Sequence, residues 1–188
     1  MQPYKIDLPQ QIKNMLLTLE EDVIRVIINS KTPFIAPIEI MDVVNYYKID
    51  YSVSTEFDYR GHAIVEEKKA LIEINANLMS DNAKRFTIAH ELGHIFSYQF
   101  QGKHGKVHYD ENTSAGKDPE EIYANAFASS ILVPKDLLIN QLKVNREIQT
   151  IAKIFAVSNK VIEYRVKRIF GNNIKIISHN NKDIVVDI

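Results

Sequence analysis

The pentad His90-Glu91-Leu92-Gly93-His94 lies within a stretch of helical periodicity running from Ser80 to about Tyr98, and no other feature limits the fold as tightly. Residues four apart on an α-helix lie one above the other, so His90 and His94 can aim two imidazole nitrogens at one point about 2 Å from each, as a zinc ion requires. Glu91 is about 100° further round the helix, outside the plane of the imidazoles and placed to reach a water on the metal. A glycine in mid-helix costs about 1 kcal/mol relative to alanine, so Gly93 predicts a close approach by another element.

Two imidazoles need a third ligand. With no cysteine in 188 residues, disulfide scaffolds, thiol catalysis and thiolate metal sites are excluded, and the six histidines are the soft ligands that remain. A later helix opening at Asp118-Pro119 offers Glu120 and Glu121, only one of which can face the metal. Glu121 is preferred: Asn125, four residues on, shares its face and can hydrogen-bond the far nitrogen of a ligating histidine, while Ala124 and Ala128 let two helices approach. Acidic residues favour the first turn of any helix, so Glu120 stays as the alternative. The donor set suits zinc, and manganese and iron accept the same ligands. In such a site zinc activates water, and Glu91 takes its proton and returns it to the leaving amine of a peptide bond. A donor for the oxyanion is expected among Tyr98, His104, His108, Tyr109 and Tyr123, with nothing in the sequence to choose between them.

The rest of the chain reads as α+β. Apolar residues at helical spacing mark Ile12 to Ile28, and a second helix is expected from Pro37 to about Tyr47. Alternation at Tyr51, Val53 and Thr55, then short apolar runs at His62 to Val65 and Ala70 to Ile74, predict a small, mostly antiparallel sheet. Gln101 to Lys117, with three glycines, is expected to be a long surface loop. After a helix at about 135–143, Ile148 to Phe155 and Ser158 to Phe170 read as two more helices, followed by β-rich runs at Ile174 to Ser178 and Ile184 to Ile188 joined as a hairpin. The expected division is a catalytic core over residues 1–145 and an appendage over 146–188 packed on it.

These residues resemble the ImmA/IrrE-type zinc metallopeptidases. Ile74-Asn75, Arg85 to His94, Glu121 to Ala128 with Leu132-Val133-Pro134, Ile151-Ala152 through Ser158, and Val161 through Arg165 carry the likeness, which covers roughly residues 36 to 171. The resemblance implies a zincin-like, gluzincin-type core with His90, His94 and Glu121 as ligands and Glu91 as base. It also implies a substrate class, since bacterial cytoplasmic proteins of this kind typically cleave helix-turn-helix repressors. The chain departs from the family pattern at Tyr123, a position often acidic there, and at 188 residues it is not expected to carry the C-terminal sensory domain of some members.

The two late helices can also be read as a helix-turn-helix with the terminal hairpin as a wing. Seven Lys or Arg against two Glu between residues 140 and 171 give that reading an electrostatic basis, with Lys160, Arg165, Lys167 and Arg168 as contacts to DNA or to an acidic partner. Against it, Val161, Ile162, Val166 and Ile169 commit much of the second helix to packing, so a protein substrate is the preferred partner. Over the whole chain 23 basic and 24 acidic residues nearly cancel, no apolar run reaches the roughly 18 residues of a membrane span, and the N-terminus lacks a signal-peptide core. A cytoplasmic protein without membrane contact is expected.

Overall fold

The structure, a computed structural model, describes residues 8–103, 107–110, 118–171, 175–179 and 183–187, with the segments 107–110, 175–179 and 183–187 as backbone strands. Helix α1, Gln10–Asn29, buries the stripe Ile12, Met15, Leu19, Val23, Val26 and Ile27, at the spacing its sequence dictates. Helix α2, Ile40–Tyr46, begins three residues later than the expected start at Pro37. Glu39 is the reason: its carboxylate accepts from the Met41 N–H at 3.3 Å and sets the cap there, while the Ile38 carbonyl accepts from Arg85 at 2.6 Å.

Strands β1 (Asp50–Val53), β2 (Gly61–Val65), β3 (Ala70–Ile74) and β4 (Val107–Asp110) form one sheet in the order β1-β3-β2-β4. β2 runs antiparallel to both β3 and β4, whereas β1 is parallel to β3, so the sheet is mixed. The expected loop from Gln101 to Lys117 therefore contains a strand. Pairing of Val107 with Val65 and of Asp110 with His62 makes it, and four residues ordered by an open sheet edge leave little local signal. Ala63, Val65, Ile72 and Ile74 are buried beneath helix α3, Asp81–Phe100.

Helices α4 (Pro119–Leu132), α5 (Lys135–Val144), α6 (Ile148–Phe155) and α7 (Asn159–Phe170) follow, and β5 (Lys175–His179) pairs antiparallel with β6 (Asp183–Asp187). Ala156 turns the chain between α6 and α7 in the left-handed conformation, at φ 51°. One apolar core runs through the molecule, from Ile12 of α1 through Leu92 and Phe127 to Ile151, Ile162 and Val166 of the last helices. Among the described residues no single helix is long and apolar enough to cross a membrane.

Candidate metal centre

Local sequence fixes where each of the two site helices starts. The Ser80 hydroxyl accepts from the Ala83 N–H at the start of α3, and the Asp118 carboxylate accepts from the Glu120 N–H at 2.8 Å, with Pro119 in the first turn of α4. From Thr87 to Tyr98 every residue of α3 is buried, so both histidines and Glu91 are interior groups. Gly93 is where the helices meet: a Cβ there would lie 2.8 Å from the Ala124 Cα and 3.1 Å from its carbonyl oxygen. Only glycine allows α3 and α4 to come this close, which is the approach its mid-helix position implies.

Contact at Gly93 brings Glu121 under the two imidazoles. The Nε2 atoms of His90 and His94 are 3.1 Å apart, and the Glu121 carboxylate oxygens lie 3.3 Å from His90 Nε2 and 3.1 Å from His94 Nε2. Ligand atoms about 2.0–2.1 Å from a tetrahedral zinc are separated by about 3.3–3.4 Å, close to the spacing of the two nitrogens and of each nitrogen from its nearer carboxylate oxygen. This buried His-His-Glu group can hold a metal ion. Glu120 is engaged elsewhere, in an ion pair with Lys103 just beyond the end of α3, which settles which of the two carboxylates faces the histidines.

Electrostatics favour the ligand protonation states. Burial would raise the Glu121 carboxyl, but hydrogen bonds and charge interactions with His90 and His94 outweigh it and hold the group down at about 2. For His94, burial acts first and lowers the imidazole, His90 lowers it further, and the hydrogen bond to Glu121 opposes both. At neutral pH the carboxylate is ionised and His94 has a lone pair to offer, the states in which these groups bind metal. Glu91 follows His90 in sequence and is 1% exposed.

The other expected residues divide. Tyr98, one turn beyond His94 on α3, is buried on the helix that carries the pentad. Tyr123 is not part of the site: two residues from Glu121 it faces the opposite way, is fully buried, and its ring packs on Phe127. Burial pushes its hydroxyl well up, and the nearby Asp22 of α1 adds to the shift. Its oxygen has no hydrogen-bond partner among the described residues. Asn125 makes no hydrogen bond to either histidine among the described residues; it lines a cavity instead, one turn further along α4. His104 lies outside the described residues, and so do the side chains of His108 and Tyr109, whose backbones belong to β4.

Of the four basic residues on α7, Lys160 and Lys167 are exposed and Arg168 is half-buried. Arg165 is corrected outright. It is fully buried, donates from Nε to the Val133 carbonyl at 2.9 Å and grips both oxygens of Glu20 at 2.8 and 2.9 Å, so it cannot touch DNA or a partner in this fold. Phe86 and Lys103 were not foreseen. Phe86 stands one turn before His90 with ring centroids 6.5 Å apart, a neighbour that i, i+4 spacing would have found; Lys103 reaches Glu120 only through the tertiary fold.

A search of curated protein sequences gives no match. The sequence model of the IrrE N-terminal-like domain family, Peptidase_M78, matches residues 43–167, a span that contains the whole of α3 and α4 and the three clustered donors. Two-thirds of the sequence therefore follows that pattern, and the chain belongs to the IrrE N-terminal-like domain family of metallopeptidases.

Proposed function

We propose that this chain is a zinc-dependent endopeptidase that cleaves a specific regulatory protein in the cytoplasm, with His90, His94 and Glu121 as metal ligands and Glu91 as the proton-transferring base. The observation that carries this reading is a buried His-His-Glu group in which the two Nε2 atoms stand 3.1 Å apart and each faces one oxygen of the Glu121 carboxylate at 3.1 to 3.3 Å, delivered by two helices locked together at Gly93. Zinc in this site would supply a Lewis acid and a water acidified toward about pH 7. Glu91, adjacent to one ligand, takes a proton from the attacking water and delivers it to the departing amine. Glu120 stays out of the set because Lys103 holds it.

A helix-turn-helix repressor is the substrate class, on the strength of the family resemblance. The basic helices α6 and α7 act in this reading as part of the body that holds the core together, with Lys160 and Lys167 left to meet a partner. Metal content measured by mass spectrometry, on protein purified without added metal or chelator, tests the site. Close to one zinc per chain is expected, and none in His94→Ala; failure of the wild type to bind added zinc would overturn the reading. With metal established, cleavage of purified helix-turn-helix repressors, read as new termini at one bond, tests the substrate class.

A further inference from the structure

A cavity of about 800 Å3 opens beside the metal centre. Phe86, one turn before His90, and Asn125, one turn after Glu121, both line it, so cavity and donor atoms share one continuous face of α3 and α4. Its far wall is formed by the starts of α3 and α7, at Ser80 and Ser158, which Asn82 ties together by donating to the Val157 carbonyl at 3.3 Å. Among the described residues the lining holds two charged side chains, Arg60 just ahead of β2 and Lys160 in the first turn of α7, and no carboxylate. Both cations are exposed, and two helix N-termini add partial positive charge beside them. Between the polar groups the walls are apolar, from Phe86, Ile122 and Val161.

We propose that this cavity receives the substrate chain next to the bond to be cut, and that Arg60 and Lys160 select a segment bearing carboxylate side chains. The inference deepens the peptidase reading and rests on it. An extended peptide advances about 3.3 Å per residue, so a recess of this size takes only a few residues and acts on the sequence nearest the cleaved bond. Apolar walls with two cations at the rim suit an acidic peptide, whose backbone and methylenes can enter while its carboxylates stay at the edge. The outer surface of a DNA duplex answers to the same charges but is too broad to enter a recess between helices.

Binding to zinc-loaded Glu91→Gln protein, which holds peptide without cutting it, tests the proposal by fluorescence anisotropy. The probes are two short fluorescein-labelled peptides, one of alternating Ala and Glu and its twin of alternating Ala and Gln. The Glu peptide is expected to bind about three- to thirtyfold more tightly, as two exposed ion pairs allow, with the advantage shrinking in high salt. The double variant Arg60→Ala/Lys160→Ala, altered only at exposed side chains, should bind the two peptides equally. Equal affinities in the parent protein, no binding of either, a preference that survives the double substitution, or displacement by a short DNA duplex more effective than by the Glu peptide would each overturn it. Failure of the peptidase reading is seen separately, in wild-type protein that neither holds zinc nor cuts; a protein that holds zinc and cuts with no acidic preference sinks this inference alone.

Discussion

Glu91 and Glu121 are two buried carboxylates, one on the helix that carries the histidine pair and one on the helix that faces it. Glu121 bonds to both imidazoles and is held down at about 2, so it is a fixed anion; in the proposed reaction Glu91, buried and next to His90 in sequence, exchanges the proton. Glu91→Gln should therefore keep zinc near one per chain while peptide-bond cleavage falls by about 10²–10⁴-fold, the usual worth of a general base. Metal analysis and cleavage of the same preparation check this, and loss of zinc would make Glu91 a ligand instead. Tyr123 offers the opposite experiment. Its buried hydroxyl lacks a partner among the described residues, so Tyr123→Phe should leave cleavage unchanged and raise stability by up to about 2 kcal/mol in urea unfolding. The pentad and Glu121 were legible because i, i+4 spacing and helix starts are local properties. Sequence alone could not set Tyr123 apart from the other oxyanion candidates because the face of α4 that meets α1 is decided by packing across the chain, and the hydrogen bond expected of Asn125 failed for the same reason.

Between elements, the α3–α4 contact decides whether three donors form one site. The histidines ride on one helix and Glu121 on the other, and Gly93 sets the gap. Alanine at that position gains about 1 kcal/mol of helix propensity, yet its Cβ meets the Ala124 backbone, which cannot swing aside as a side chain would. Overpacking of this kind costs about 1–3 kcal/mol, so Gly93→Ala should be neutral to destabilising by about 2 kcal/mol in thermal unfolding. Its larger effect should be on zinc affinity, measured by chelator competition, because α4 moves off carrying Glu121. Unaltered affinity would mean the ligands tolerate a wider gap. Here too the sequence carried the clue, since a mid-helix glycine is costly without a neighbour. By contrast β4 was invisible: four residues become a strand only because β2 offers an unpaired edge, and the start of α2 moved because Glu39 rather than Pro37 fits its cap.

Across the whole molecule, the last helix is fastened to the first. Arg165 of α7 reaches Glu20 of α1 and the Val133 carbonyl after α4, and the Ser130 hydroxyl donates to the same carboxylate at 3.2 Å. A basic residue in a basic run reads as a surface contact from sequence alone, and its partner lies 145 positions away. Burial acts on Glu20 first and would raise its carboxyl, but Arg165 outweighs it and the group is lowered from 4.5. A carboxylate with a depressed folded value contributes stability that is complete above its unfolded value and disappears as pH falls through the folded one. Glu20→Gln strands a buried guanidinium; since the Glu20 side chain is 34% exposed, the cost should be about 1–3 kcal/mol at pH 7, below the 3–5 of a fully buried pair. Urea unfolding of wild type and variant from pH 7 down through the carboxylate range should show the difference closing below about pH 4.5. A difference independent of pH would assign the loss to packing rather than charge. The same fastening dictates how DNA binding must be examined: Arg165 variants would lose affinity by loosening α7, so Lys160→Ala and Lys167→Ala, whose side chains are exposed, are the informative pair. Unchanged duplex binding in both, at low and high salt, would leave the late helices with a structural task.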